Sequence, residues 1–251
     1  MPTTQQPNTT LNKTDLLWIT RRLPKHVNDI LHQYQGRVGL AGGFIRACIA
    51  REDVSDIDLF AQDKQMAEIV ANALASHPGC KKRDSDNAFT IFGMKHVVQV
   101  IHRWTFNSMT DIIPSFDFTI ARAAVWVEGG MWVSECDADF YSDLAAKRLV
   151  YRLPDRNEDA GGSILRVLKF YQRGYTIPLD SLGEVIARTI KDVDYRRIEI
   201  AFNTGEERVF ETARVITGLL REVDPLHDPD FIYTKRPSTH ILVNDTPNPL
   251  V

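Results

Sequence analysis

Asp56 and Asp58 stand one residue apart in Ser55-Asp56-Ile57-Asp58-Leu59, and twelve residues separate Asp56 from the glycine pair of Ala41-Gly42-Gly43-Phe44-Ile45-Arg46. Residues i and i+2 of a strand point to the same face, so the two carboxylates project together while Ile57 and Leu59 face the opposite layer. Charges set among apolar neighbours are costly unless a cation compensates them, and a hard divalent ion such as Mg²⁺ takes oxygen ligands. Metal ions held this way assist phosphoryl transfer by stabilising attacking and leaving oxygens together. The glycines permit a tight strand-to-helix turn and close backbone approach. The N–H groups opening the next helix suit a phosphate, and Arg46, one turn in, is placed to reach a phosphate oxygen. Taken singly, the acidic pair reads as an ordinary exposed surface feature and the Gly-Gly as an ordinary turn. The ordered set of strand, Gly-Gly, helix and a second strand carrying both acids is far more specific.

The elements that must position these residues follow from periodicity. Asp15 to Gln35 carries an amphipathic helical stripe, broken at Pro24, and Arg37 to Ala41 reads as a short strand ending at the glycines. Phe44 to Arg51 has helical spacing, Ser55 to Ala61 alternates as a strand, and Lys64 to His77 is an Ala-rich helix. Cys80 to Arg83, Ala88 to Phe92 and His96 to Arg103 read as strands, Ser108 to Ile113 as a short helix stopped by Pro114, and Glu128-Gly129-Gly130 as a hairpin turn into Met131 to Ser134. Asp117 to Val127 is apolar and fits helix or strand equally. Beyond Pro154 only helices are expected: Ser163 to Tyr175, Leu182 to Lys191 and Glu206 to Glu222. The expected division is a disordered start over 1–13, a head domain over 14–153, a helical neck over 154–223 and an extended, proline-rich tail over 224–251.

Composition bounds the function. The 251 residues, 43% hydrophobic and 25% charged, suit a globular chain with a core of its own. No apolar run is long enough for a membrane span, and the polar start lacks a signal core, so the expected location is cytoplasmic. Three scattered cysteines suggest neither a zinc knuckle nor a disulfide framework. A net charge of −3 argues against indiscriminate nucleic-acid binding while leaving room for a local basic groove.

The residues quoted above resemble the signature of the polymerase-β-like nucleotidyltransferase superfamily, and more narrowly the head of tRNA CCA-adding enzymes and poly(A) polymerases. Asp117-Phe118-Thr119-Ile120 resembles a segment that contacts the nucleotide sugar. Asp143-Leu144 with Arg148-Leu149-Val150 resembles a hinge segment, and Glu158-Asp159 with Ile164-Leu165-Arg166 and Phe170 resembles the helix that reads the incoming base. Val98-Gln99-Val100-Ile101 followed by Ser115-Phe116-Asp117-Phe118 is similar to a compact branch found in phages. The resemblance implies an α/β head with a mixed, mostly five-stranded sheet flanked by helices, then a small all-helical domain. It also implies Mg²⁺ (or Mn²⁺), an NTP (ATP or CTP) and template-independent addition to an RNA 3′ end, tRNA among the acceptors. By the same resemblance Asp56 and Asp58 are catalytic metal ligands, Gly42, Gly43 and Arg46 hold the triphosphate, Asp117 meets the sugar, and Asp159 and Arg166 read the base. The chain departs from the pattern at Ser115 and Phe116, where the family carries two arginines, at Ala121, where it carries asparagine, and at Ser163, where it carries the first arginine of the base-reading helix.

These departures leave two rivals: a toxin-like or regulatory transferase acting on a protein, small molecule or tRNA, and a non-catalytic nucleotide- or RNA-binding module. Other features have bland readings beside functional ones. Arg166, Lys169 and Arg173 line one helix face, as a phosphate track or as a solvated surface. Asp137, Asp139 and Asp143 form a cation site or a solvated loop. Trp104, Trp126 and Trp132 stack a base or pack the core.

Overall fold

The structure is a computed structural model that describes residues 8–154 and 161–191. Asn12 caps α1 (Lys13–Arg22) by accepting from the Asp15 N–H, and Pro24 separates it from α2 (Lys25–Gln33). Proline lacks the N–H that would continue the first helix, so the amphipathic stripe divides there. β1 (Val38–Ala41) leads through Gly42 into α3 (Gly43–Ala50), and β2 (Asp56–Ala61) carries the acidic pair. Asp63 caps α4 (Lys64–Ala75). Three strands follow, β3 (Lys81–Asp84), β4 (Ala88–Phe92) and β5 (Val97–Ile101), then a 3₁₀ helix, Met109–Ser115. A hairpin of β6 (Ala123–Glu128) and β7 (Met131–Cys136), α5 (Phe140–Ala145), α6 (Gly161–Tyr171) and α7 (Leu179–Lys191) complete the described chain.

All seven strands form one mixed sheet in the order β3-β4-β5-β2-β1-β6-β7. β2 runs parallel to β5 and every other pairing is antiparallel. The five strands implied by resemblance are thus exceeded. The segments read as strands from the residues themselves, Cys80 to Arg83 and Met131 to Ser134, supply the extra pairing at the two edges. Asp117 to Val127 proves to be neither one helix nor one strand: a 3₁₀ turn at Thr119–Ala121 precedes β6. Pro114 lies inside the 3₁₀ helix Met109–Ser115 rather than stopping it, because a capping box at Ser108 and Asp111 holds the turn.

One sheet face, with Leu40, Ile57, Leu59, Val98 and Val100, buries its side chains together with those of α2, α3 and α4 in the main core. The other face carries Asp56, Asp58 and Phe60, and a second cluster there packs Phe60, Ile101 and Trp126 against Met109, Ile112 and Ile113 of the 3₁₀ helix. The polar start is docked by its end: Thr9 and Cys136 exchange backbone hydrogen bonds of 2.8 and 2.7 Å, and Leu11 is buried. No helix among the described residues is long and apolar enough to cross a membrane. The expected helix over Glu206 to Glu222 and the expected tail lie outside the described residues.

Candidate active site

β2 aims Asp56 and Asp58 to one face, both half-buried, with Ile57 fully buried between them on the other. Asp56 stands in register with Val97 of β5 and Asp58 with Gln99. The Ser55 hydroxyl donates to Asp56 Oδ1 at 2.6 Å. The strand beside the pair therefore supplies an amide and no third acid, and among the described residues no group of three or more His, Cys, Asp or Glu could hold a metal. The donor set nevertheless suits Mg²⁺, which characteristically takes one or two protein carboxylates and completes its shell with phosphate oxygens and water.

Gly42 has φ +76° and ψ −126°, a conformation side chains rarely adopt, and its N–H donates to the Ala123 carbonyl at 3.1 Å. A Cβ added there would meet the Phe116 ring at 3.0 Å. Phe116, which stands where the resembled motif carries arginine, thus packs on the turn and edge-on to Phe60, with ring centroids 5.8 Å apart. Gly43 opens α3, and a Cβ there would meet nothing within 4 Å.

Arg46 departs from its expected role. Its side chain is buried, ion-paired to Glu52 and stacked over Phe170 with its guanidinium carbon 4.7 Å from the ring centroid. Its Nε is buried without a hydrogen-bond partner. Tyr175 donates to the same Glu52 at 2.7 Å, so Arg46 ties α3 to α6 rather than standing open to a phosphate. Burial and the hydrogen bond to Glu52 push the Tyr175 phenol up to about 12, against a smaller lowering by Arg46.

Asp117 is 1% exposed, and its Oδ2 accepts from Ser163 Oγ at 2.8 Å and from Arg166 at 2.5 Å. The residue assigned to a sugar therefore holds α6 against the head. Arg166 pairs with Asp117; Asp159 lies outside the described residues. Asp143 accepts from Thr119 Oγ1 at 2.6 Å and from Arg148 at 2.6 and 2.9 Å, which joins the Asp117 segment to the hinge segment. Arg122 donates to the carbonyls of Phe116 and Pro114 at 2.8 and 3.3 Å and fixes the loop before Asp117.

The acidic cluster is spoken for by arginines: Asp137 pairs with Arg122, Asp139 with Arg152 and Asp143 with Arg148. Trp126 is buried, and Trp132 meets His32 edge-on at 4.9 Å. Sequence reasoning missed Phe116 and Ser163 as contacts within this site; their only signal was that each replaced an arginine of the motif. An open groove of about 850 Å³ between α1 and the end of α3, lined by Trp18, Arg21, Arg22 and Arg51 among others, does not include the carboxylate pair.

Residues 10–147, more than half the chain, match the family model described as "Gad2: Gabija anti-defense 2 family protein". The chain belongs to this Gad2 family. No curated protein matches the sequence. Among solved structures, this Gad2-family chain resembles the Thermotoga maritima CCA-adding enzyme complexed with tRNA at 18% identity and a TM-score of 0.50, over 84% of this chain and 51% of that one. It also resembles a CCA-adding enzyme in complex with ATP, at 17% identity and a TM-score of 0.54 over 76% and 48% of the two chains. A CCA-adding enzyme in complex with CTP gives 16% identity and a TM-score of 0.51 over 85% and 55%. The Gad2-family chain thus spans about half the length of these proteins and shares a nucleotidyltransferase-like fold with them.

Proposed function

We propose that this protein is a metal-dependent nucleotidyltransferase that moves a nucleoside monophosphate from an NTP to a hydroxyl, an RNA 3′ end being the acceptor. One observation carries the reading: two half-exposed carboxylates on one face of β2, beside a glycine turn, within a nucleotidyltransferase-like fold. Asp56 and Asp58 would hold Mg²⁺ or Mn²⁺, which when bound lowers the charge of the triphosphate and the attacking oxygen. The backbone N–H groups at Gly43 and the start of α3 receive phosphate oxygens, helped by the positive end of the helix dipole. The hydroxyl oxygen bonds to the α-phosphorus, the bond to the β-phosphate oxygen breaks, pyrophosphate leaves and the hydroxyl proton passes to water. Most of the rate comes from positioning and charge stabilisation.

Asp117 and Arg166 act as one unit, with Arg166 placed for a base or sugar only if its bond to Asp117 is kept or exchanged on binding. Base reading by Asp159 stays part of the proposal.

The family's description favours a second reading, a regulatory transferase whose acceptor belongs to the Gabija defence. Ser163, where the resembled motif carries its base-reading arginine, supports it, whereas Ser115, Phe116 and Ala121 favour a non-catalytic module. Incubating the protein with Mg²⁺ and each α-labelled NTP beside total RNA and beside protein extract separates the readings. Label on RNA upholds the first and label on protein the second. NTP binding without any transfer would favour a non-catalytic module.

A further inference from the structure

The register of the sheet extends the acidic pair into a row. Asp58 pairs with Gln99 on β5, Gln99 with Thr90 on β4, and Thr90 with Arg83 on the edge strand β3. Paired residues in a sheet share a face, so Arg83 lies on the carboxylate face three strand spacings from Asp58, about 14 Å. Lys81 and Phe92, themselves a registered pair, lie two residues further along their strands on the same face. Lys82 marks the opposite side: it donates to Asn72 of α4 at 2.9 Å.

The 3₁₀ helix Met109–Ser115 covers the β1-β6-β7 end of the carboxylate face. At the β3-β4 end Lys81, Arg83 and Phe92 are exposed, Phe92 at 41%. Among the described residues neither Lys81 nor Arg83 forms an ion pair. In a chain of net charge −3, two uncompensated cations flank an exposed ring, and a polar row of buried Thr90 and half-buried Gln99 leads from them to the carboxylate pair.

We propose that this strip, Lys81, Arg83 and Phe92 leading across Thr90 and Gln99 to Asp58, is the track on which a single-stranded polynucleotide lies with its 3′ end toward the carboxylates. The inference rests on the transferase reading and names its acceptor class. Cations meet the phosphates, and an aromatic ring stacks a base without regard to sequence. The row length leaves the terminal hydroxyl at the acids while the preceding phosphates reach the edge strand.

Fluorescence anisotropy with the full chain and labelled single-stranded RNA, without NTP, reads the track separately from chemistry. K81E/R83E is expected to weaken binding at least about tenfold at 0.1 M salt and to flatten the salt slope by about 1.4, since each phosphate contact on a single strand contributes about 0.7. K81Q/R83Q gives the same direction with a smaller loss, should charge reversal disturb the fold. F92A weakens binding and leaves the salt slope unchanged. DNA of the same length distinguishes a track for RNA from one for single strands in general. Wild-type affinity and slope in both charge variants, or no polynucleotide binding by the unmodified protein, overturns the track. RNA binding that depends on Lys81 and Arg83 without any NTP turnover keeps the track and overturns the transferase reading.

Discussion

Ser163 and Phe116 stand at positions where the resembled motif carries arginine. At position 163 a hydroxyl bonds Asp117 at 2.8 Å, and at position 116 a ring fills the space over Gly42. Both side chains pack the site without bringing positive charge to it. Asp56 and Asp58 were legible as a pair because alternation on a short strand fixes their common face. The partner of Arg166 and the ring beneath Arg46 were not, because Asp117 and Phe170 lie across the fold, distant in sequence, although Glu52, the ion-pair partner of Arg46, lies only six residues on. The thiols behave as their surroundings dictate. Burial raises Cys48, and burial with the neighbouring charges of Asp137 and Glu135 pushes Cys136 up to about 12. Titration with a thiol reagent at pH 8 is therefore expected to modify Cys80, which is partly exposed, first. Cys48 and Cys136 react only on unfolding, since the thiolate is the nucleophile.

The turn from β1 to α3 is the element on which the site depends. Its position was legible because strand periodicity ends and helical spacing begins at the two glycines. Their unequal roles were not, since only coordinates reveal that Gly42 alone has positive φ and a ring against it. G42A is expected to destabilise the protein by about 1–3 kcal/mol through the strain of a glycine-favoured positive φ, with further loss from the contact with Phe116. G43A, with open space and ordinary φ at the start of α3, is expected to unfold at or slightly above the wild-type denaturant midpoint, because alanine restricts the unfolded chain. Urea titration of both variants checks the contrast. The break at Pro24 was equally legible, because a missing N–H acts locally. The 3₁₀ turn at Thr119–Ala121 was hidden, because Thr119 is held by Asp143 and by the Val150 carbonyl rather than by its sequence neighbours.

At the scale of the molecule, the sheet face opposite the helices is divided between a covered end and an open one, and the carboxylates sit between them. Six of the seven strands were read from the residues, β6 being left between helix and strand because its run is continuously apolar, and no sequence pattern gives their order, which depends on pairings such as β2 with β5 across the intervening α4, β3 and β4. The described part of the C-terminal region meets the head through Asp117 with Ser163 and Arg166, and through Glu52 with Tyr175. Tyr175 makes that contact sensitive to alkali. The unfolded phenol ionises above its ordinary 10.0, whereas the folded one stays neutral to about 12. Its contribution to stability is thus complete below pH 10 and is lost as pH rises toward 12. Burial raises Tyr141 and Tyr151 as well, so Y175F is expected to make the fall in thermal midpoint over that window shallower without abolishing it. The central claim is that Asp56 and Asp58 hold the metal for nucleotidyl transfer. Its most direct measurement is pyrophosphate release from NTP with Mg²⁺ and RNA, comparing the unmodified chain with D56N/D58N at equal thermal stability. The account predicts a fall of at least about a hundredfold in the variant; release at the unmodified rate would contradict it.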